Sequence, residues 1–206
     1  MDRVALKNKA RTLIKGNLWY IWKPQVMVSL AVFVFGFILG LLSVSISEDA
    51  GNVILSIISV VLSIFETAFM IAYAKYVLEF VRGNKMDWKE TLNYTKEHFL
   101  LYVGVSFAVA LIICVGSILL VVPGIIAAIG LMFYQEVCAD NPELGVMDII
   151  KKAWEMTNGH KMELFVLGLS FIGWAIVGSL TLGILYIWLM PYMTVTMVLA
   201  YEELKK

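Results

Sequence analysis

The sequence predicts an all-α polytopic membrane bundle: six transmembrane helices folded as three hairpins, each preceded by a cytoplasmic amphipathic helix. Three observations predict it: apolar runs of spanning length, basic residues confined to alternate connections, and short motifs that recur along the chain. Of 206 residues, 61% are hydrophobic and 16% charged, with mean hydropathy +0.85, whereas a water-soluble domain carries about 25% charged residues. About 20 apolar helical residues cross the ~30 Å hydrocarbon core. Runs of that kind extend over Val26 to Ser47, Val53 to Phe80, Phe99 to Val122, Leu164 to Leu182 and Gly183 to Tyr201, with a shorter one from Gly124 to Ala139. The first run is too long for a signal-peptide core and follows a basic, aromatic-bearing segment, so it reads as a retained span.

The basic residues set the orientation. Arg3, Lys7, Lys9, Arg11, Lys15 and Lys23 precede the first span; Arg82, Lys85, Lys89 and Lys96 follow the second. Lys151, Lys152 and Lys161 lie between spans four and five, Lys205 and Lys206 end the chain, and Lys75 sits near the inner end of span two. The alternate connections, Glu48 to Asn52, Pro123 and the turn near Thr181, carry none of the 16. The positive-inside rule then places both termini in the cytoplasm. A formal net charge of zero argues against a nucleic-acid partner, and two cysteines, Cys114 and Cys138, make no disulfide framework.

Residues 2 to 16 read as a surface helix with Leu6, Ala10, Leu13 and Ile14 on one face. Trp19, Tyr20 and Trp22 suit the headgroup zone, and Pro24 starts span one. Small or hydroxyl residues, Ser29, Gly36, Gly40, Ser43 and Ser47, line that span. Gly36 and Gly40 form a GxxxG pair that packs on span two or serves as a homo-oligomer seam. Span two carries Ser56, Ser59, Ser63, Glu66 and Met70 at helical spacing. Glu66 lies at hydrocarbon depth, where an ionisable group marks a cavity or a polar partner within the bundle. Serines of span one would satisfy a protonated Glu66; a ligand, proton or ion would use a charged one.

From Asp87 the pattern restarts. Trp88, Thr91, Leu92, Thr95 and Phe99 share a face, and Val122-Pro123-Gly124 reads as the outer corner between spans three and four. Glu136, after Gln135 near the inner end of span four, joins Glu66 as a candidate polar group. Asn141-Pro142-Glu143 reads as a helix start with Asn141 as N-cap, and Val146, Ile149, Ile150, Ala153, Trp154 and Thr157 face one way until Asn158-Gly159. His98 and His160 open spans three and five and, with Trp88 and Trp154, read as interfacial residues. Gly104-Val105-Ser106-Phe107 parallels Gly168-Leu169-Ser170-Phe171, and Val115-Gly116-Ser117 parallels Val177-Gly178-Ser179. Residues 1–206 thus form one transmembrane domain with pseudo-repeats of about 1–80, 81–139 and 140–206.

Pro123-Gly124, Asp140-Asn141-Pro142, Trp154, Gly159-His160, Phe171-Ile172-Gly173-Trp174, Leu182-Gly183 and Pro191-Tyr192 resemble the bacterial integral-membrane family catalogued as domain of unknown function nine-seven-five. Ala10 to Gly16-Asn17 fits it too, so the resemblance takes in nearly the whole chain outside a less typical middle. It implies a six-helix bacterial plasma-membrane protein, distantly like the membrane domain of some glycerophosphodiester phosphodiesterases. It supplies no catalytic residues.

No phosphate-binding loop, dinucleotide fingerprint, zinc helix or nucleophile elbow occurs in the chain. The expectation is a non-enzymatic protein with no cofactor and no metal site. Its bundle binds, shelters or moves a hydrophobic or amphipathic molecule, a membrane lipid or a membrane-active peptide, with peptide-toxin immunity as one form. Glu66, Ser59, Ser63, Glu136 and Gln135 are the ligand or ion candidates. The alternatives are a small transporter, channel or transporter subunit using an intramembrane carboxylate, and an oligomeric scaffold joined through Gly36 and Gly40.

Overall fold

A computed structural model describes residues 2–43 and 48–205. Ser47 of the predicted small-residue stripe lies outside them, as does the side chain of Ser43. Ten helices make up the described chain: α1 (Arg3–Ile14), α2 (Leu18–Ser43), α3 (Glu48–Val81), α4 (Trp88–Glu97), α5 (Phe99–Leu119), α6 (Val121–Gly130), α7 (Tyr134–Asp140), α8 (Val146–Thr157), α9 (Lys161–Leu180) and α10 (Tyr186–Leu204). In hydrocarbon each backbone N–H and C=O has to find its partner within the chain, and helices do this locally. Five stretches are long and apolar enough to cross a membrane: Leu18–Leu41, Ala50–Val81, Phe99–Leu119, Val121–Asp140 and Lys161–Leu180. The nineteen-residue α10 falls outside that set; tyrosines, threonines and Glu202-Glu203 make it more polar.

The organising element is α3, which packs against α2, α4, α5, α7 and α10. Its inner part is the centre of the core, with Ala68, Phe69, Ile71, Ala72, Tyr76, Val77 and Leu78 all buried. Three of the short helices, α1, α4 and α8, cover this core. Asp2 caps α1 by accepting from the amides of Val4 and Ala5, and α1 lays Leu6, Ala10 and Ile14 on the protein, chiefly against α10. Asp87 caps α4, which buries Thr91 and Thr95 against α3, and α8 buries Ile149, Ile150, Ala153 and Thr157 against α5, α6 and α7. The predicted faces of these helices are therefore the faces used, but the protein covers them.

Several boundaries differ from expectation. Pro24 lies inside α2 instead of starting it. Proline has no N–H, so the carbonyl four residues earlier loses its donor; that carbonyl, on Tyr20, accepts from the Tyr76 hydroxyl at 2.9 Å. The corner between α5 and α6 falls at Leu120, whose backbone is extended (φ −162°, ψ 147°), and Pro123 sits in the first turn of α6, where a missing N–H costs nothing. The predicted fourth span is two helices. They break across Leu131 to Phe133, where the Trp154 ring lies so close to Gly130 that no side chain fits there, and the Thr157 hydroxyl donates to the Gly130 carbonyl at 2.8 Å. Asn141 ends α7 rather than starting α8: its Nδ2 donates to the Val137 carbonyl at 2.7 Å, and α8 begins at Val146. The Leu182-Gly183 turn is where expected, with φ of 51° and 87°.

Candidate functional site

Between α2, α3, the α6–α7 break and α10 lies a cleft lined by methionine. Its inner part, about 290 Å³, takes Met70, Tyr73 and Ala74 from α3, Met132, Gln135 and Glu136 from the break and α7, and Met190, Met193, Thr194, Met197 and Val198 from α10. A neighbouring part of about 250 Å³ adds Trp22, Gln25 and Pro191 and shares Met70, Tyr73, Met190 and Thr194 as a common wall. Local sequence explains the wall. Met190, Met193 and Met197 recur at i, i+3 and i+7, one face of α10. Pro191 leaves the Ile187 carbonyl without its helical donor, and the Trp22 indole N–H donates to it at 2.7 Å, fixing that ring beside the cleft.

Glu136 is the ionisable group of this wall. It is 8% exposed, and its Oε2 has no hydrogen-bond partner. The break in the fourth span places it: α7 restarts at Tyr134, which turns Gln135 and Glu136 toward α3 and α10. Gln135 donates its Nε2 to the Tyr134 hydroxyl at 3.2 Å. Tyr73 donates to the Ile21 carbonyl at 3.1 Å.

One turn further along α7, Asp140 has the opposite surroundings. Its carboxylate, 4% exposed, receives both arms of Arg82 at 2.8 and 2.5 Å, Lys205 Nζ at 2.7 Å and the Tyr201 hydroxyl at 3.0 Å. Arg82 also holds Glu202 at 2.6 Å, and Lys75 bridges Glu79 at 3.2 Å and Asp140 at 3.6 Å. The paired Asp140 raises the Arg82 guanidinium further above its ordinary pKa, with Glu202 adding to it. A bidentate Arg–carboxylate pair supplies geometry as well as charge. The clasp ties α3, α7 and α10 together next to the cleft. Sequence reasoning missed it, because Arg82, Lys75 and Lys205 were read as orientation signals; acids at Glu79, Asp140 and Glu202 ending the same helices were the available clue.

The other candidates lie apart. Glu66, Ser59 and Ser63 are exposed on the side of α3, against the expectation of an inward polar stripe. The serines need no partner helix: Ser59 donates to the Ser56 carbonyl and Ser63 to the Val60 carbonyl, each at 2.8 Å. The stripe nevertheless runs down α3 to Met70, at the rim of the cleft. A Cβ built at Gly36 or Gly40 would meet no atom within 4 Å among the described residues. His98 sits between the rings of Tyr94 and Tyr102, and His160 Nδ1 lies 3.1 Å from Glu163 Oε2. Trp88 is half-buried against the core. Trp154 is 38% exposed, with Lys161 Nζ 3.4 Å from its ring centre, a cation–π contact. Among the described residues no three His, Cys, Asp or Glu side chains gather as a metal site.

A family described as "Protein of unknown function (DUF975)" matches residues 101–206. The match begins in α5, so Ala10 to Asn17 lies outside it, a narrower reach than the sequence motifs suggest. No curated protein and no solved structure matches the chain.

Proposed function

The chain belongs to that family of unknown function, and from this premise we propose a non-enzymatic protein that binds, shelters or moves a hydrophobic or amphipathic molecule. In this reading α10 is the sixth span, the three helix pairs are hairpins, and both termini face the cytoplasm of a bacterial cell. The observation that carries it is the methionine-lined cleft with Glu136 buried in its wall. Methionine is flexible and polarisable, so a wall rich in it adapts to varied apolar shapes. An apolar pocket with a few placed polar groups is the usual form of a small-molecule site. The α10 stripe and the discontinuous fourth span, both at cleft depth, support the same reading, since irregular backbone at membrane depth is tolerated where it is buried or lines a cavity. Mass spectrometry of the purified protein should find a co-purifying lipid or hydrophobic peptide, and gene deletion should alter envelope composition or peptide sensitivity. If neither occurs, the reading fails.

One observation favours a second reading, a small transporter. The Ser59, Ser63 and Glu66 stripe leads along α3 to Met70, which would give a polar group a path from the side of the bundle into the cleft. Liposome flux should then fall in Glu66→Ala; flux that is unchanged counts against it.

A further inference from the structure

Resting on the cleft as a binding site, we infer that its ligand carries an ammonium head on a single apolar chain and that the ammonium donates to Glu136. The argument is a balance of donors and acceptors. Three donors of the lining are committed, the Trp22 indole to the Ile187 carbonyl, the Tyr73 hydroxyl to the Ile21 carbonyl and one N–H of the Gln135 amide to Tyr134, while Thr194 adds a partly exposed hydroxyl. The two buried side-chain atoms of the lining that lack any hydrogen bond are both oxygens, Glu136 Oε2 and Gln25 Oε1. A ligand completing this wall therefore brings donors.

Charge narrows the choice. No basic residue lines either part of the cleft among the described residues. The cations beyond it, Lys75, Arg82 and Lys205, are held by Glu79, Asp140 and Glu202. An anionic head would bring acceptors to a wall whose buried unpaired atoms are already oxygens and would repel an ionised Glu136, and a hydroxyl would offer one neutral hydrogen bond. An ammonium offers three donors and the complementary charge. Apart from Glu136, Gln25, Gln135 and Thr194 the lining is thioether, ring and aliphatic surface, which suits one alkyl chain.

The test uses the full chain in phosphatidylcholine nanodiscs, with empty nanodiscs as blank and radiolabelled dodecylamine as probe. Unlabelled dodecylamine should displace the probe at concentrations at least roughly tenfold below dodecanol or dodecyl sulfate, the worth of a hydrogen bond to a charged group. Glu136→Gln should weaken dodecylamine about tenfold or more and leave dodecanol unchanged. Displacement by lyso-phosphatidylethanolamine assigns the ammonium to a lipid headgroup, and displacement by dodecylamine alone assigns it to a free amine; either supports the inference. Equal competition by dodecanol, or unchanged dodecylamine affinity in Glu136→Gln, overturns it while leaving the binding site intact. No saturable binding of any chain overturns the site as well. Should Glu136→Gln fail to fold, the head-group series on the unaltered protein decides alone.

Discussion

The inner and outer halves of this bundle are built from the same apolar residues and packed very differently. Toward the clasp, Tyr76, Val77, Leu78 and Tyr201 are buried, and polar side chains reach between helices. Toward the opposite end, Phe33, Phe37 and Leu41 of α2, Val53, Ile57 and Val61 of α3, and the run Ile118 to Val122 are exposed. The most apolar window of the first span is 11% buried, that of the fourth 44%. In lipid an apolar side chain gains little by leaving its neighbours for another helix, so hydrophobicity alone brings no helices together. The inner half is held where something else acts: the Asp140 clasp, hydroxyls that reach carbonyls released by Pro24 and at Gly130, and Gly130 itself, which admits the Trp154 ring. Among the described residues of the outer half such devices sit at the corners, where Gly124 meets Ser117 and Gly178 meets the Tyr186 ring.

The comparison breaks most easily at Asp140. Asp140→Ala takes the bidentate partner from Arg82, which keeps Glu202, and the acceptor from Lys205 and Tyr201, and should cost about 1.5–3 kcal/mol, the worth of hydrogen bonds to a charged group; unfolding in mixed micelles measures it. A loss under ~1 kcal/mol would make the clasp no more than a set of surface pairs. Next comes Gly130→Val, which drives a side chain into the Trp154 ring and should cost about 1–3 kcal/mol, partly restored when Trp154→Leu is added. Thr157→Val leaves the Gly130 carbonyl without its hydroxyl partner. It should cost about 1–2 kcal/mol and speed amide exchange at Leu131 to Phe133. The smallest effect sharpens the contrast from the other side. Gly36→Ala, with room for its methyl, should shift stability by less than ~0.5 kcal/mol, and a larger loss would show that the outer half depends on close packing too.

Much of the fold was legible because the membrane constrains it locally. Length and apolarity marked five of the six expected spans, and period-3.6 patterning picked the apolar faces of α1, α4 and α8, where Leu6, Ala10, Ile149 and Ala153 are buried by protein and not laid on a membrane surface. Proline and asparagine misled at the boundaries. Pro123 and Asn141 each have a role at both ends of a helix, and a neighbouring chain segment decides which. The candidate site was half legible. Glu136 and Gln135 stood out as polar residues in an apolar run and do line the cleft. Glu66 stood out for the same reason and faces outward, because depth in the membrane reveals nothing about which side of a helix meets protein.

By itself the sequence determined that the chain is helical, that five of its stretches are long and apolar enough to cross a membrane, and which faces of the short helices are apolar. These properties depend on a few neighbouring residues and on the solvent around them. Only the tertiary structure decided that α3 sits at the centre, that the fourth span breaks at Gly130, and that Asp140 gathers cations while Glu136, one turn away, has none beside it in the cleft. Tertiary pairings join residues up to 165 positions apart, as Trp22 and Ile187 are. Their energy depends on distance and direction in space, which spacing along the chain does not encode.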